Sequence, residues 1–222
     1  MTPPEGPPLG RDVFRRLFRA TIAVAGAVGF VLQAWVSLDG KPALEAAASL
    51  LRLLSFFTIQ NTLAAAAWGA ARAMAPGGRA GPGPAVSLAL LVSSVVTGAV
   101  YYAVLAPLWN PQGPSAVADF LMHGAVPVLV VVDWLLLEPH GRLRARNLPA
   151  VLVLPLLFLA VSLPLGAATG RYPYFFVDPA ALGIPGFLAN AALFAAGFLA
   201  LGAIGLAADR ALGRSAPSGV ID

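Results

Sequence analysis

Six apolar stretches, each long enough to cross a bilayer and joined by short connections, restrict this chain to a bundle of membrane helices. They run Phe14 to Val36, Leu50 to Met74, Val86 to Trp109, Val117 to Leu137, Leu148 to Ala168 and Gly186 to Ala208. A spanning helix needs about 20 consecutive apolar residues, because the hydrocarbon core is about 30 Å thick and each residue rises 1.5 Å. The connections leave no room for a soluble domain. At 59% hydrophobic and 11% charged residues, the chain is also far from the roughly 45–50% apolar and 25% charged of soluble domains. The expected fold is all-α and polytopic, with one six-helix transmembrane domain over residues 14–210 and cytoplasmic tails at 1–13 and 211–222.

A formal charge of +4 in a soluble protein would point to nucleic acid, but here the cations sort by loop. All but three of the 14 Lys and Arg residues fall on one side if the spans alternate: Arg11, Arg15, Arg16 and Arg19; Arg72 and Arg79; Arg142, Arg144 and Arg146; Arg210 and Arg214. The exceptions are Lys41, Arg52 and Arg171. Positive charge is retained on the cytoplasmic side, so both termini are expected there and no nucleic-acid partner is implied. Without cysteine the chain can offer neither a disulfide nor a thiolate nucleophile or metal ligand. The first span is longer than the apolar core of a signal peptide and has no evident cleavage site, so it reads as an uncleaved helix.

Pro and Gly punctuate the chain at Met1 to Gly10 and at Ala75 to Pro84, a tail and a cytoplasmic turn. Ser215 to Asp222 reads as a disordered polar tail. Pro107, Pro127, Pro155 and Pro164 lie in or near spans three to five, where a missing amide donor and a ring clash bend a helix. Alanine and glycine are frequent in nearly every span, which favours close small-residue packing. No internal repeat of the kind that builds inverted-repeat transporters is evident.

Two side chains could carry chemistry: Thr58 in the second span and His123 in the fourth. Polar groups in a bilayer are costly and normally face a bundle interior or cavity. If Arg52 snorkels to the non-cytoplasmic interface, Thr58 lies about 9 Å deeper along a continuous helix. With Ser115 as the cap of the fourth span, His123 lies about 12 Å deep by the same rise. The two meet if spans two and four are neighbours. A threonine hydroxyl needs an adjacent base to act as nucleophile, and imidazole has the pKa for that task. Asp119, four residues before His123 on the same helical face, is positioned to orient the ring. Gln60, Asn61 and Asn190 are candidate donors to a developing oxyanion.

Each residue also has a plain structural reading. A helical threonine commonly bonds back to the carbonyl four residues earlier. His123, Gln60, Asn61 and Asn190 could join helices, Asp119 could complement a helix dipole, and Asp133-Trp134 could mark the membrane boundary. Two further classes therefore stay open on the residues alone: a proton-coupled transporter with a relay through Asp119, His123 and Arg52, and a non-enzymatic scaffold. No third ligand accompanies Asp119 and His123, so no metal is expected, and no nucleotide or phosphate motif implies another cofactor.

Four motifs taken together carry a resemblance: Phe56-Phe57-Thr58-Ile59-Gln60-Asn61, His123-Gly124-Ala125-Val126-Pro127, Asp133-Trp134 and Tyr172-Pro173-Tyr174-Phe175-Phe176-Val177-Asp178. Their order and spacing resemble the androgen-induced-gene-one and FAR-17a-like family, and within it a small bacterial six-helix branch. The likeness extends from about Phe14 to Arg210, and departs from the family pattern at Gln60-Asn61-Thr62 and Phe176. It implies an intramembrane threonine hydrolase of a bacterial plasma membrane, cleaving fatty-acid esters of hydroxy fatty acids or similar acyl esters. Thr58 would be the nucleophile and His123 its partner, with the lipid ester reaching them from the bilayer.

Overall fold

Residues 9–75 and 81–214 are described by a computed structural model, and every element among them is helical. The helices are α1 (Leu9–Leu38), α2 (Ala43–Leu54), α3 (Phe57–Met74), α4 (Pro84–Val100), α5 (Pro114–Phe120), α6 (Val126–Leu136), α7 (Val153–Thr169) and α8 (Pro179–Arg214). A π turn at Leu121–Ala125 joins α5 to α6, and a 3₁₀ segment at Ala145–Leu152 leads into α7. Five helical segments are long and apolar enough to span a membrane, or six if the bent pair α2 and α3 counts as one span. Side chains such as Val31, Leu193 and Ile204 stand on the outer surface. Lipid solvates those groups, so an apolar exterior costs nothing here. The chain is an all-α polytopic integral membrane protein.

The second span departs from expectation. It is not one helix from Leu50 to Met74: α2 and α3 meet at an angle of 80° across Ser55 and Phe56. Ser55 folds back on α2, its amide and hydroxyl both donating to the Arg52 carbonyl, and Phe56 is extended at φ −81° and ψ 135°. Depth along a continuous helix from Arg52 therefore does not locate Thr58. The fourth span likewise begins one residue before Ser115, with Gly113 as its cap. Helix α1 starts at Leu9 and α8 runs to Arg214, so each takes in residues assigned above to a tail. The rest of those tails, and 76–80 of the turn before α4, lie outside the described residues.

Two prolines shape the spans in the same way. Pro107 and Pro127 cannot donate to the carbonyls of Ala103 and His123, and each ring crowds that oxygen. In both places the preceding backbone loosens into a π turn ending two residues before the proline: Tyr101–Leu105 and Leu121–Ala125. By contrast α7 runs unbroken through Pro164.

The bundle closes around three apolar clusters. Leu88, Val92, Trp134, Val151 and Phe198 pack in one; Ile22, Ala65, Trp68 and Val126 in the second; Leu53, Ile59, Ala118 and Met122 in the third. Helices α1 and α3 approach closely at Gly69, where a Cβ would stand 2.7 Å from the Arg19 carbonyl oxygen. One end is tied by a buried ion cluster. Arg19 Nε donates to Asp133 Oδ1 at 2.9 Å, Arg72 Nη2 and Glu138 Oε1 stand 2.9 Å apart, and Arg19 Nη2 reaches the same Glu138 oxygen at 3.3 Å. Trp68 lies between the two guanidinium groups, 5.7 and 5.6 Å from their carbons. Asp133 and Trp134 are both buried within the bundle, so this acid faces the ion cluster. Arg19 and Arg72, assigned above to the cytoplasmic loops, point inward to meet it.

Candidate active site

The break between α2 and α3 sets Thr58 in the first turn of a helix. That turn has no side-chain cap, and the first three amides of an α-helix have no partner within it. The Thr58 amide donates instead to the Tyr174 phenol oxygen at 3.5 Å, and the Thr58 and Tyr174 hydroxyl oxygens are 3.4 Å apart. Tyr174 comes from the loop between α7 and α8. Its ring is held by edge contact with Phe56 and by stacking on Phe176, with centroids at 5.6 and 5.1 Å. Loss of hydration against this helix end pushes the Tyr174 phenol pKa up, so the group stays a neutral O–H donor well past the neutral range.

Opposite, the π turn presents His123. Its Nε2 lies 3.2 Å from Thr58 Oγ1. Its Nδ1 lies 3.1 Å from the Asp119 carbonyl oxygen and 3.2 Å from Asp119 Oδ1. A carbonyl oxygen can only accept, so Nδ1 carries the proton; in the neutral ring the lone pair is then on Nε2, facing the threonine hydroxyl. Tyr101, from the other π turn, completes the cluster. Its hydroxyl donates to Asp119 Oδ2, and its ring stacks on the imidazole with centroids 3.7 Å apart and planes 13° from parallel. The imidazole is thus fixed in direction by Asp119 and in plane by Tyr101.

The three residues named for an oxyanion role are engaged elsewhere. Gln60 Nε2 donates to the Leu54 carbonyl at 3.0 Å, across the break. Asn61 is fully buried and pairs with Ser94 at 3.4 Å, while Asn190 Nδ2 donates to the Phe176 carbonyl at 3.0 Å and so ties the Tyr174 loop to α8. Besides His123, the group that faces the threonine is the Tyr174 hydroxyl, which also accepts from the Thr58 amide. Sequence reasoning missed Tyr101 and Tyr174. The offset from Pro107 could have marked the first; the Tyr-Pro-Tyr run was visible but had no partner until α3 was seen to begin at Phe57.

Thr58 lies between two chambers. One, of about 440 Å³ and the more polar of the two, is lined by Gln33, Lys41, Ser49 and Arg52 as well as by Asp119, His123 and apolar side chains. The other, also about 440 Å³, is enclosed by Phe57, Phe158, Phe176, Phe198 and aliphatic side chains of α4, α7 and α8. Its only polar side chains are Thr58, Tyr174 and Thr97, and Thr97 bonds to the Ser93 carbonyl at 2.8 Å. Among the described residues no group of three or more His, Asp or Glu stands close enough to share a metal ion.

Fold and site together define a polytopic α-helical membrane protein with a half-buried Thr–His–Asp cluster at the junction of a polar and an apolar chamber. Compared with protein-family models, curated proteins and solved structures, the chain finds no match in any of the three.

Proposed function

We propose that the protein is an intramembrane lipid-ester hydrolase in which Thr58 is the nucleophile and His123 its general base. The observation that carries this reading is the 3.2 Å approach of Thr58 Oγ1 to an Nε2 whose partner nitrogen is held protonated by Asp119. A helical threonine in its plain structural role bonds to a backbone carbonyl; Thr58 Oγ1 instead faces an imidazole and a phenol. The sequence resemblance to the androgen-induced-gene-one family supports the same pair. Fatty-acid esters of hydroxy fatty acids are on that ground the first substrates to try, and a bacterial plasma membrane with both termini cytoplasmic is the setting it suggests.

In the reaction, Thr58 Oγ1 attacks the ester carbonyl carbon while its proton passes to His123 Nε2. The tetrahedral oxyanion accepts from the Tyr174 hydroxyl and the first-turn amides of α3. Collapse breaks the bond to the alcohol oxygen, which takes the proton from Nε2 and leaves as the free alcohol. A water from the polar chamber then gives a proton to Nε2 and attacks the acyl-threonine carbonyl. Collapse of this second intermediate releases the fatty acid and returns the proton to Thr58. Throughout, Asp119 faces the imidazolium as it forms.

The test is ester hydrolysis by purified protein, with fluorophosphonate labelling alongside. Thr58→Ala and His123→Ala should each lower kcat on the order of 10³-fold or more, as loss of either member of a nucleophile–base pair does. Labelling should vanish in Thr58→Ala while helicity and Tm hold. Turnover that survives both substitutions would remove the catalytic assignment.

A further inference from the structure

The apolar chamber has an open flank. Helix α7 packs on α3 and α4, and α8 packs on α4 and the 3₁₀ segment before α7, while α7 and α8 hardly touch each other. The chamber lies between them, and two of its lining side chains, Leu156 of α7 and Leu188 of α8, are 61% and 57% exposed. Along α8 the lining extends from Leu188 to Phe198, ten residues and so about 15 Å of helix rise. Half of a hydrocarbon core of about 30 Å is the reach of one acyl chain in one leaflet, again about 15 Å. Ala191 and Ala195, one turn apart on the same face of α8, leave the width of the slot free at its middle.

We infer that this slot is the acyl-chain site: a single acyl chain of membrane-lipid length enters sideways between α7 and α8, and its carboxyl end comes to Thr58. The inference rests on the hydrolase reading for what happens to that end, but the slot itself is argued from its length, lining and opening. The occupant is one chain rather than a polar ligand, because no charged side chain lines the slot and Thr97 is already satisfied internally. Ala191 and Ala195 then set how much chain the slot admits.

Chain-length preference tests it. For Ala191→Trp and Ala195→Trp in nanodiscs, the ratio of kcat/KM for the palmitoyl over the acetyl p-nitrophenyl ester should fall at least about tenfold, the discrimination that misfit of even a methylene or two supports. Ala195→Leu should give an intermediate fall, and it covers the case in which tryptophan prevents folding. An unchanged ratio in variants that keep their Tm would overturn the proposal. A second arm does not need turnover: Thr58→Ala protein is photolabelled with a palmitate bearing a terminal diazirine, and the adducts are mapped. Adducts on slot residues of α7 and α8 that excess palmitate suppresses support the slot even if wild type hydrolyses no ester, which would sink only the hydrolase reading. Adducts that palmitate does not suppress would assign these residues to bulk lipid or to a second copy of the chain, and the slot would fall.

Discussion

Asp119 does two separate things for His123, and substitution can part them. Its backbone carbonyl holds the Nδ1 proton, while its carboxylate faces the charge that the ring would acquire in the proposed reaction. In Asp119→Asn the carbonyl remains, so the ring keeps its tautomer and loses only the stabilisation of the imidazolium. The expected loss in kcat on an ester substrate is on the order of 10²-fold, at the lower end of what general acid–base positioning contributes. Tyr101→Phe keeps the stacked ring but frees Asp119 Oδ2, and should cost about one neutral-to-charged hydrogen bond, on the order of 1.5–3 kcal/mol of barrier or a ten- to hundredfold fall in rate. An Asp119→Asn enzyme as inactive as His123→Ala would show that the carbonyl does not hold the tautomer. Thr58, His123 and Asp119 were legible because Asp119 and His123 are one turn apart in sequence, and the third had only to come from a neighbouring span. Tyr101 and Tyr174 were not, since an aromatic near a membrane interface is the commonest thing to find there.

The elements explain why the second span misled. Nothing between Leu50 and Met74 is a glycine or proline until Gly69, so hydropathy reads one continuous helix through a bend of 80°. What makes the bend tolerable is side-chain chemistry: Ser55 satisfies the Arg52 carbonyl and Gln60 reaches back to Leu54. Gln60 is therefore a clamp on the break, and its effect on Thr58 is positional. Gln60→Leu leaves the Leu54 carbonyl without that donor, for which the usual penalty is about 1–3 kcal/mol. The variant should unfold at lower temperature and turn over more slowly, with both effects eased in Gln60→Asn only if the shorter amide still spans the gap. Unaltered Tm and rate in Gln60→Leu would mean that the bend is held by packing alone. Pro107 and Pro127, in contrast, were visible as helix disturbances from the sequence. Their equal offset from the two π turns was not, because it depends on how the freed carbonyls resettle.

At the scale of the whole molecule, the bundle separates the end that holds the Thr58 cluster from a locked end. Thr58 and Arg72 are fourteen residues apart on α3, about 21 Å by helix rise, and the ion cluster at Arg72 ties α1, α3 and α6 with the start of the α6–α7 connection. The count of apolar stretches foretold the bundle, while the loop cations carried the expectation of which ends share a side. Arg19 and Arg72 were among those cations, and sequence alone could not separate charges that meet headgroups from charges that turn inward. Two arginines and two carboxylates, buried together, stabilise little in net terms, because desolvation offsets most of their attraction; removing one partner is what costs, about 3–5 kcal/mol. Asp133→Leu should accordingly lower Tm sharply by removing the carboxylate nearest Arg19, 2.9 Å from its Nε, and leaving Glu138 alone to serve both guanidinium groups, while adding Arg19→Met should restore most of the loss. In the double variant the esterase rate at 25 °C should stay within about twofold of wild type, since sites so far apart with no shared partner act nearly additively. A double variant that regains its Tm but not its rate would show the locked end coupled to the Thr58 site through α3, the one helix that carries both.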